Sequence, residues 1–121
     1  MDIPVVILQD KGPIEKVWYA LDFLRFTPFA EGAEAGSSAN CFVYDATKVV
    51  GDVLPAPISA MVGTITVGTT TVTTLVGSGG TVATGLGGDT EGSYLLRVIL
   101  TGTSGAVYEQ IGTFRVVQKT G

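Results

Sequence analysis

The sequence predicts an all-β domain, an antiparallel sandwich of about seven short strands. Three observations predict it. Threonine and valine each occur 16 times in 121 residues, and both are β-branched, which suits pleated, half-buried surface better than helix. Glycine occurs 17 times, and with proline and serine it punctuates the chain with turn signals every 8 to 12 residues. Apolar residues alternate with period two over 93–101 and 106–118, the spacing of a strand with one buried face.

Residues 1–12 read as an extended N-terminal arm and residues 13–121 as the sandwich domain. The arm holds an apolar run from Ile3 to Leu8, too short for the core of a secretory signal and lacking a basic flank. PIEKVWYALDFLRF (13–26) fits two periods. Ile14, Val17, Trp18, Leu21 and Leu24 share one helical face; Val17, Tyr19, Leu21 and Phe23 share one strand face, with Trp18 opposite. The aromatics, and the need of later strands for partners, favour strand. TPFAEGAEAGSS (27–38) reads as loop, ANCFVYDA (39–46) as strand, KVVGDV (48–53) as its continuation or successor, and LPAPISA (54–60) as a connection.

Beyond residue 60 the elements are short and Gly-bounded. MVGTITV (61–67), TTVTTLV (70–76) and TVATG (81–85) read as strands, with loops at 77–80 and 85–92. SYLLRVILT (93–101) places Tyr94, Leu96, Val98 and Leu100 on one side, and Ser93, Leu95, Arg97, Ile99 and Thr101 on the other. The turn at 102–105 and the run AVYEQIGTFRVVQ (106–118) complete a hairpin.

Composition narrows the functional classes. The net charge of -4 argues against nucleic acid, which selects a basic face. Without histidine and with one cysteine, the usual zinc sites, the His-dependent nucleophile arrangements and an intramolecular disulfide are all excluded. No membrane span is expected, because the uncharged stretch 53–88 is interrupted by nine Thr and eight Gly. The expectation is a protein that is not an enzyme, holds no metal or cofactor, and is made and kept in a cytoplasm.

Candidate chemistry is sparse. The glycine clusters at 77–80 and 85–88 lack the Lys-Ser/Thr of a phosphate loop, since no lysine lies between Lys48 and Lys119. Asp89 with Glu91 supplies too few oxygens for calcium, and these two, like Glu31 and Glu34, read as solvated loop carboxylates. Cys41, in an apolar run, reads as a small buried hydrophobe. Trp18, Tyr19 and Phe23 read as core aromatics.

The uncharged stretch is the most informative feature. Strand edges without charge invite pairing with another chain, so an oligomeric assembly is expected. The arm is suited to adding a strand to a neighbour's sheet. The expected contact residues are Ile3, Val5, Val6 and Ile7 in the arm, with Leu86 and Asp89 in the 77–92 loop.

Two stretches carry a resemblance. KGPIEKVWYALDFLRF (11–26) is similar to an opening with Lys-x-Pro, an acidic residue and a hydrophobic–aromatic strand containing Asp, here Asp22. Residues 67–117 follow a pattern of Thr/Val strand, Gly-rich loop, Tyr-led strand, Thr-Ser-Gly hairpin turn and final aromatic-x-Val strand. Tyr94, Thr103, Ser104, Gly105, Glu109, Phe114 and Val116 stand at those places. In these features the chain resembles small Ig-like virion proteins of tailed bacteriophages, including fibre–tail adaptors. The resemblance implies an Ig-like sandwich in the tail or neck that links tail and fibre components. A capsid decoration protein is one alternative; a carbohydrate-binding adhesion module, using Trp18, Tyr94 or Tyr108, is another. The implied partners are other virion proteins (tail, neck, fibre or capsid subunits), with no nucleic acid and no membrane.

Overall fold

The computed structural model describes residues 5–77, 79 and 92–117. Seven strands occur among them: β1 (Val5–Ile7), β2 (Val17–Asp22), β3 (Gly36–Asp45), β4 (Val62–Val67), β5 (Thr71–Val76), β6 (Ser93–Gly102) and β7 (Val107–Arg115). They form a four-stranded sheet in the order β1-β7-β6-β3 and a three-stranded sheet in the order β2-β5-β4. Every pairing is antiparallel except that of β1 with β7. Grouping the second, fourth and fifth strands against the third, sixth and seventh is the immunoglobulin arrangement. The expected sandwich is therefore present, and the segment 81–85 read as a further strand lies outside the described residues.

Local chemistry accounts for the elements. In β6, Tyr94, Leu96, Val98 and Leu100 all point inward and are at most 2% exposed. They meet Val72 and Val76 of β5 and Tyr19 and Leu21 of β2 in one core. The Phe114 ring lies 5.1 Å from Tyr19 and 5.6 Å from Tyr94. At the other end Phe29 meets Tyr108 edge-on at 4.8 Å. Aromatic pairs at these separations add to the area they bury.

The ambiguous segment 13–26 holds strand β2 at its centre, Val17–Asp22, and no helix. Pairing with β5 in the register Trp18–Leu75, Tyr19–Thr74 and Leu21–Val72 decides it. The helical alternative would bury Ile14, Trp18 and Leu24, which are 86%, 52% and 50% exposed. Trp18 is thus not the core aromatic that was expected, because strand parity turns it to the outer face.

Two other expectations change. Residues 27–38 are not all loop: a one-turn helix α1 (Thr27–Ala30) opens the segment, with Pro28 in its first turn, and β3 begins at Gly36. Residues 48–53 do not extend β3. The Asp45 carboxylate accepts from the Thr47 N–H at 3.0 Å and caps a 3-10 turn, Ala46–Lys48. Val50 and Val53 then exchange hydrogen bonds of 3.1 and 2.9 Å across a tight turn that Gly51 closes at φ 59°.

The described part of the N-terminal arm is extended and docks on the molecule's own sheet. Val5, Val6 and Ile7 lie opposite Ile111, Gly112 and Thr113, and the Leu8 N–H donates to the Thr113 carbonyl at 2.8 Å. Gly112 permits the approach, because a Cβ there would stand 2.7 Å from the Leu8 side chain. Lys11 clamps the segment. Its N–H reaches the Arg115 carbonyl at 3.0 Å and its own carbonyl accepts from Val117 at 2.9 Å. Its fully buried ammonium donates to the carbonyls of Gly12, Glu15 and Gly79.

Candidate interaction surface

The two sheets present different outer faces. On the three-stranded sheet, Ala20, Asp22, Thr71 and Thr73 face outward around Trp18, with Thr64 and Thr66 of β4 continuing the polar surface. These threonines, with Asp22, keep the face hydrated. On the four-stranded sheet apolar residues share the outward positions with Asn40, Arg97, Thr101, Glu109, Thr113 and Arg115. Leu95 and Ile99 of β6, Ile111 of β7 and Phe42 of β3 are half-buried there, and Val5 and Ile7 of β1 extend the face to the sheet edge. An antiparallel sheet with one solvated side ordinarily alternates apolar-in, polar-out. β6 does not.

One ion pair lies across the two central strands of that face. The Arg97 Nε donates to the Glu109 carboxylate across β6 and β7. Glu109, then Tyr44, raises the affinity of the guanidinium for its proton against the opposing effect of burial. Beside the pair lies a cleft of about 170 Å³ lined by Val49, Gly51, Asp52, Leu54 and Ile111. The 50–53 turn forms its wall and holds Val50 and Val53 in solvent.

The edges of this sheet also differ. Along β3, the Ile58 N–H donates to the Val43 carbonyl at 2.7 Å, so the 54–58 connection covers part of that edge. On the far side of β1 no strand pairs among the described residues. Val5, Val6 and Ile7 stand there 51%, 38% and 85% exposed. Neither a charge nor a proline guards positions 5–8.

Of the expected contact residues, the structure brings Val5, Val6 and Ile7 together on one open edge. Ile3, Leu86 and Asp89 lie outside the described residues. The aromatics considered for sugar stacking are not brought together. Trp18 is exposed on the smaller sheet, Tyr94 is buried in the core, and Tyr108 is half-buried against Phe29. Burial pushes the Tyr108 phenol up, with the Glu34 charge adding to the shift.

Glu34 corrects another expectation. It is not a solvated loop carboxylate but is 4% exposed. Its oxygens accept from the Thr103 hydroxyl at 2.9 Å, the Ser104 N–H at 3.1 Å, the Ser104 hydroxyl, and the Tyr108 hydroxyl at 3.3 Å. The Ser104 hydroxyl bond is the largest influence, and with the others it outweighs desolvation and holds the carboxyl down at about 2. Gly102 leaves the space, since a Cβ there would overlap the carboxylate. No local sequence signal marks this site.

Cys41 is buried as expected, and burial pushes its thiol up, away from thiolate chemistry. Among the described residues no group of three His, Cys, Asp or Glu side chains is placed to hold a metal, and no helix is long and apolar enough to cross a membrane. No protein-family model matches the chain, and a search of curated proteins finds none that matches it either.

Proposed function

We propose that this protein is a non-catalytic structural component of a tailed-bacteriophage virion, an Ig-like adaptor that joins tail or neck to fibre components. The observation that carries the reading is the edge at β1, where three consecutive apolar residues are exposed and no strand pairs among the described residues. Such an edge is a template for a strand from another chain, with main-chain bonds giving affinity and alternate side chains giving selectivity. The sandwich behind it serves as a stiff spacer. The sequence resemblance in 11–26 and 67–117 supplies the virion setting, with synthesis in the host cytoplasm beforehand.

Mass spectrometry of purified particles tests the reading. The chain is expected at tens of copies or fewer per particle; hundreds would favour capsid decoration instead. An Ile7→Lys chain should fold with an unchanged Tm, because Ile7 is exposed, yet be depleted from particles. Particles that lack the wild-type chain, or that take up the Ile7→Lys chain at the wild-type level, would overturn the adaptor role.

A further inference from the structure

We infer that the outer face of the three-stranded sheet binds a neutral saccharide, with Trp18 as the stacking platform. This goes beyond the adaptor reading and does not depend on it. It concerns the other sheet, and a small ligand rather than a strand added at the β1 edge. Trp18 is the one tryptophan of the chain and stands 52% exposed on the outward side of β2. Among the described residues its ring meets no other ring, and its indole N–H has no hydrogen-bond partner.

The neighbours select the ligand. Register fixes three rows across this face: Trp18 with Leu75, Ala20 with Thr73 and Thr66, and Asp22 with Thr71. Successive rows lie about 7 Å apart along the strands. Ala20 is too short to stand between Trp18 and Asp22, so a trough about 13 Å long joins them, with Thr71 and Thr73 along its β5 side. The hydroxyls of Thr66, Thr71 and Thr73 have no hydrogen-bond partner among the described residues. Asp22 accepts from the Leu24 N–H at 3.2 Å through Oδ1, which leaves its other oxygen open. Threonine hydroxyls donate and accept, as sugar hydroxyls do. The negative face of an indole attracts the C–H face of a pyranose ring.

Other ligand classes fit less well. Lys16 precedes the strand and Asp22 closes it, so no cluster of cations awaits a phosphate or an acidic polymer. Leu75 is the one large apolar neighbour that Trp18 has in these rows, and the exposed Ile14 and Leu24 lie outside β2. Apolar groups parted by hydroxyls do not form the continuous core that a protein partner needs. The site is open and offers a single ring. Binding of a short oligosaccharide is accordingly weak, with a dissociation constant on the order of 0.1–10 mM.

The fluorescence of Trp18 reads the site directly, because the chain has no second tryptophan. Cello-, malto-, manno- and chito-oligosaccharides are titrated into the purified chain, with heparin oligosaccharides as the anionic control. At least one neutral sugar should give a saturable change, and heparin none. Calorimetry with that sugar should show no detectable binding to Trp18→Ala, at least about threefold weaker binding to Thr73→Val, and wild-type binding to Ile7→Lys. Each variant should keep a cooperative thermal transition. Ile7→Lys alters the β1 edge and spares this face, so either reading can fail without the other. No saturable change with any neutral sugar, an equal response to heparin, or binding that survives Trp18→Ala or ignores Thr73→Val would each overturn the inference.

Discussion

Glu34 and Ser104, seventy positions apart, are joined twice: the Ser104 N–H donates to Oε1 at 3.1 Å and the Ser104 hydroxyl to Oε2. The carboxylate thereby fastens the turn between β6 and β7 to the segment leading into β3. The Thr103 N–H adds a third tie, to the Ala35 carbonyl at 2.9 Å.

This arrangement gives the fold a defined acid sensitivity. The Glu34 carboxyl titrates at about 2 in the folded chain against an ordinary 4.5. A depressed folded pKa contributes stability that is fully present above the unfolded value and is lost as pH falls through the folded one. Thermal melts should therefore show the Tm falling between about pH 5 and pH 2. Glu34→Gln should lower the Tm at neutral pH and flatten that slope. An unchanged slope in the variant would show that the carboxylate is not the group responsible.

Strand parity in β2 makes a second prediction. Leu21 is 1% exposed, whereas Trp18 and Leu24 stand largely in solvent. Leu21→Ala should cost about 2–5 kcal/mol in urea denaturation. Trp18→Ala and Leu24→Ala should cost under about 1 kcal/mol each. A helix over 13–26 would make all three costly, so the pattern separates the two conformations.

Lys11 makes a third. Its ammonium satisfies three carbonyls inside the fold, and methionine fills a similar volume without donating. Lys11→Met should cost roughly 1–3 kcal/mol, the penalty of buried acceptors left without donors. Hydrogen exchange should speed up at the Leu8 amide, which depends on β1 lying against β7, before it does in β6. Uniform loss of protection would instead mean that the arm and the core unfold as one unit.

Much of the architecture was legible because strands announce themselves locally. The two-residue period of 93–101 and the glycines of 102–105 give β6, its turn and β7 without knowledge of their neighbours. The apolar positions of the outer face were legible in part, since Leu95 and Ile99 break the expected alternation. Periodicity alone left residues 13–26 open, because their apolar positions satisfy two periods at once; the aromatics and the need of later strands for partners favoured the strand that forms. Glu34 was not legible either: its four donors lie about seventy residues away, and the flanking alanines and glycines look like any loop.

The amino-acid order by itself determined where strands and turns form, because backbone preference and side-chain alternation act over a few neighbouring residues. The tertiary structure alone decided that Trp18 faces solvent, that Lys11 and Glu34 are enclosed, and that Val5 and Ile7 extend the outer face of the molecule's own sheet. Those outcomes depend on pairings such as β1 with β7 and Glu34 with Ser104. Burial, hydrogen bonding and proton affinity are set by which distant segments meet, and no short stretch of chain contains that information.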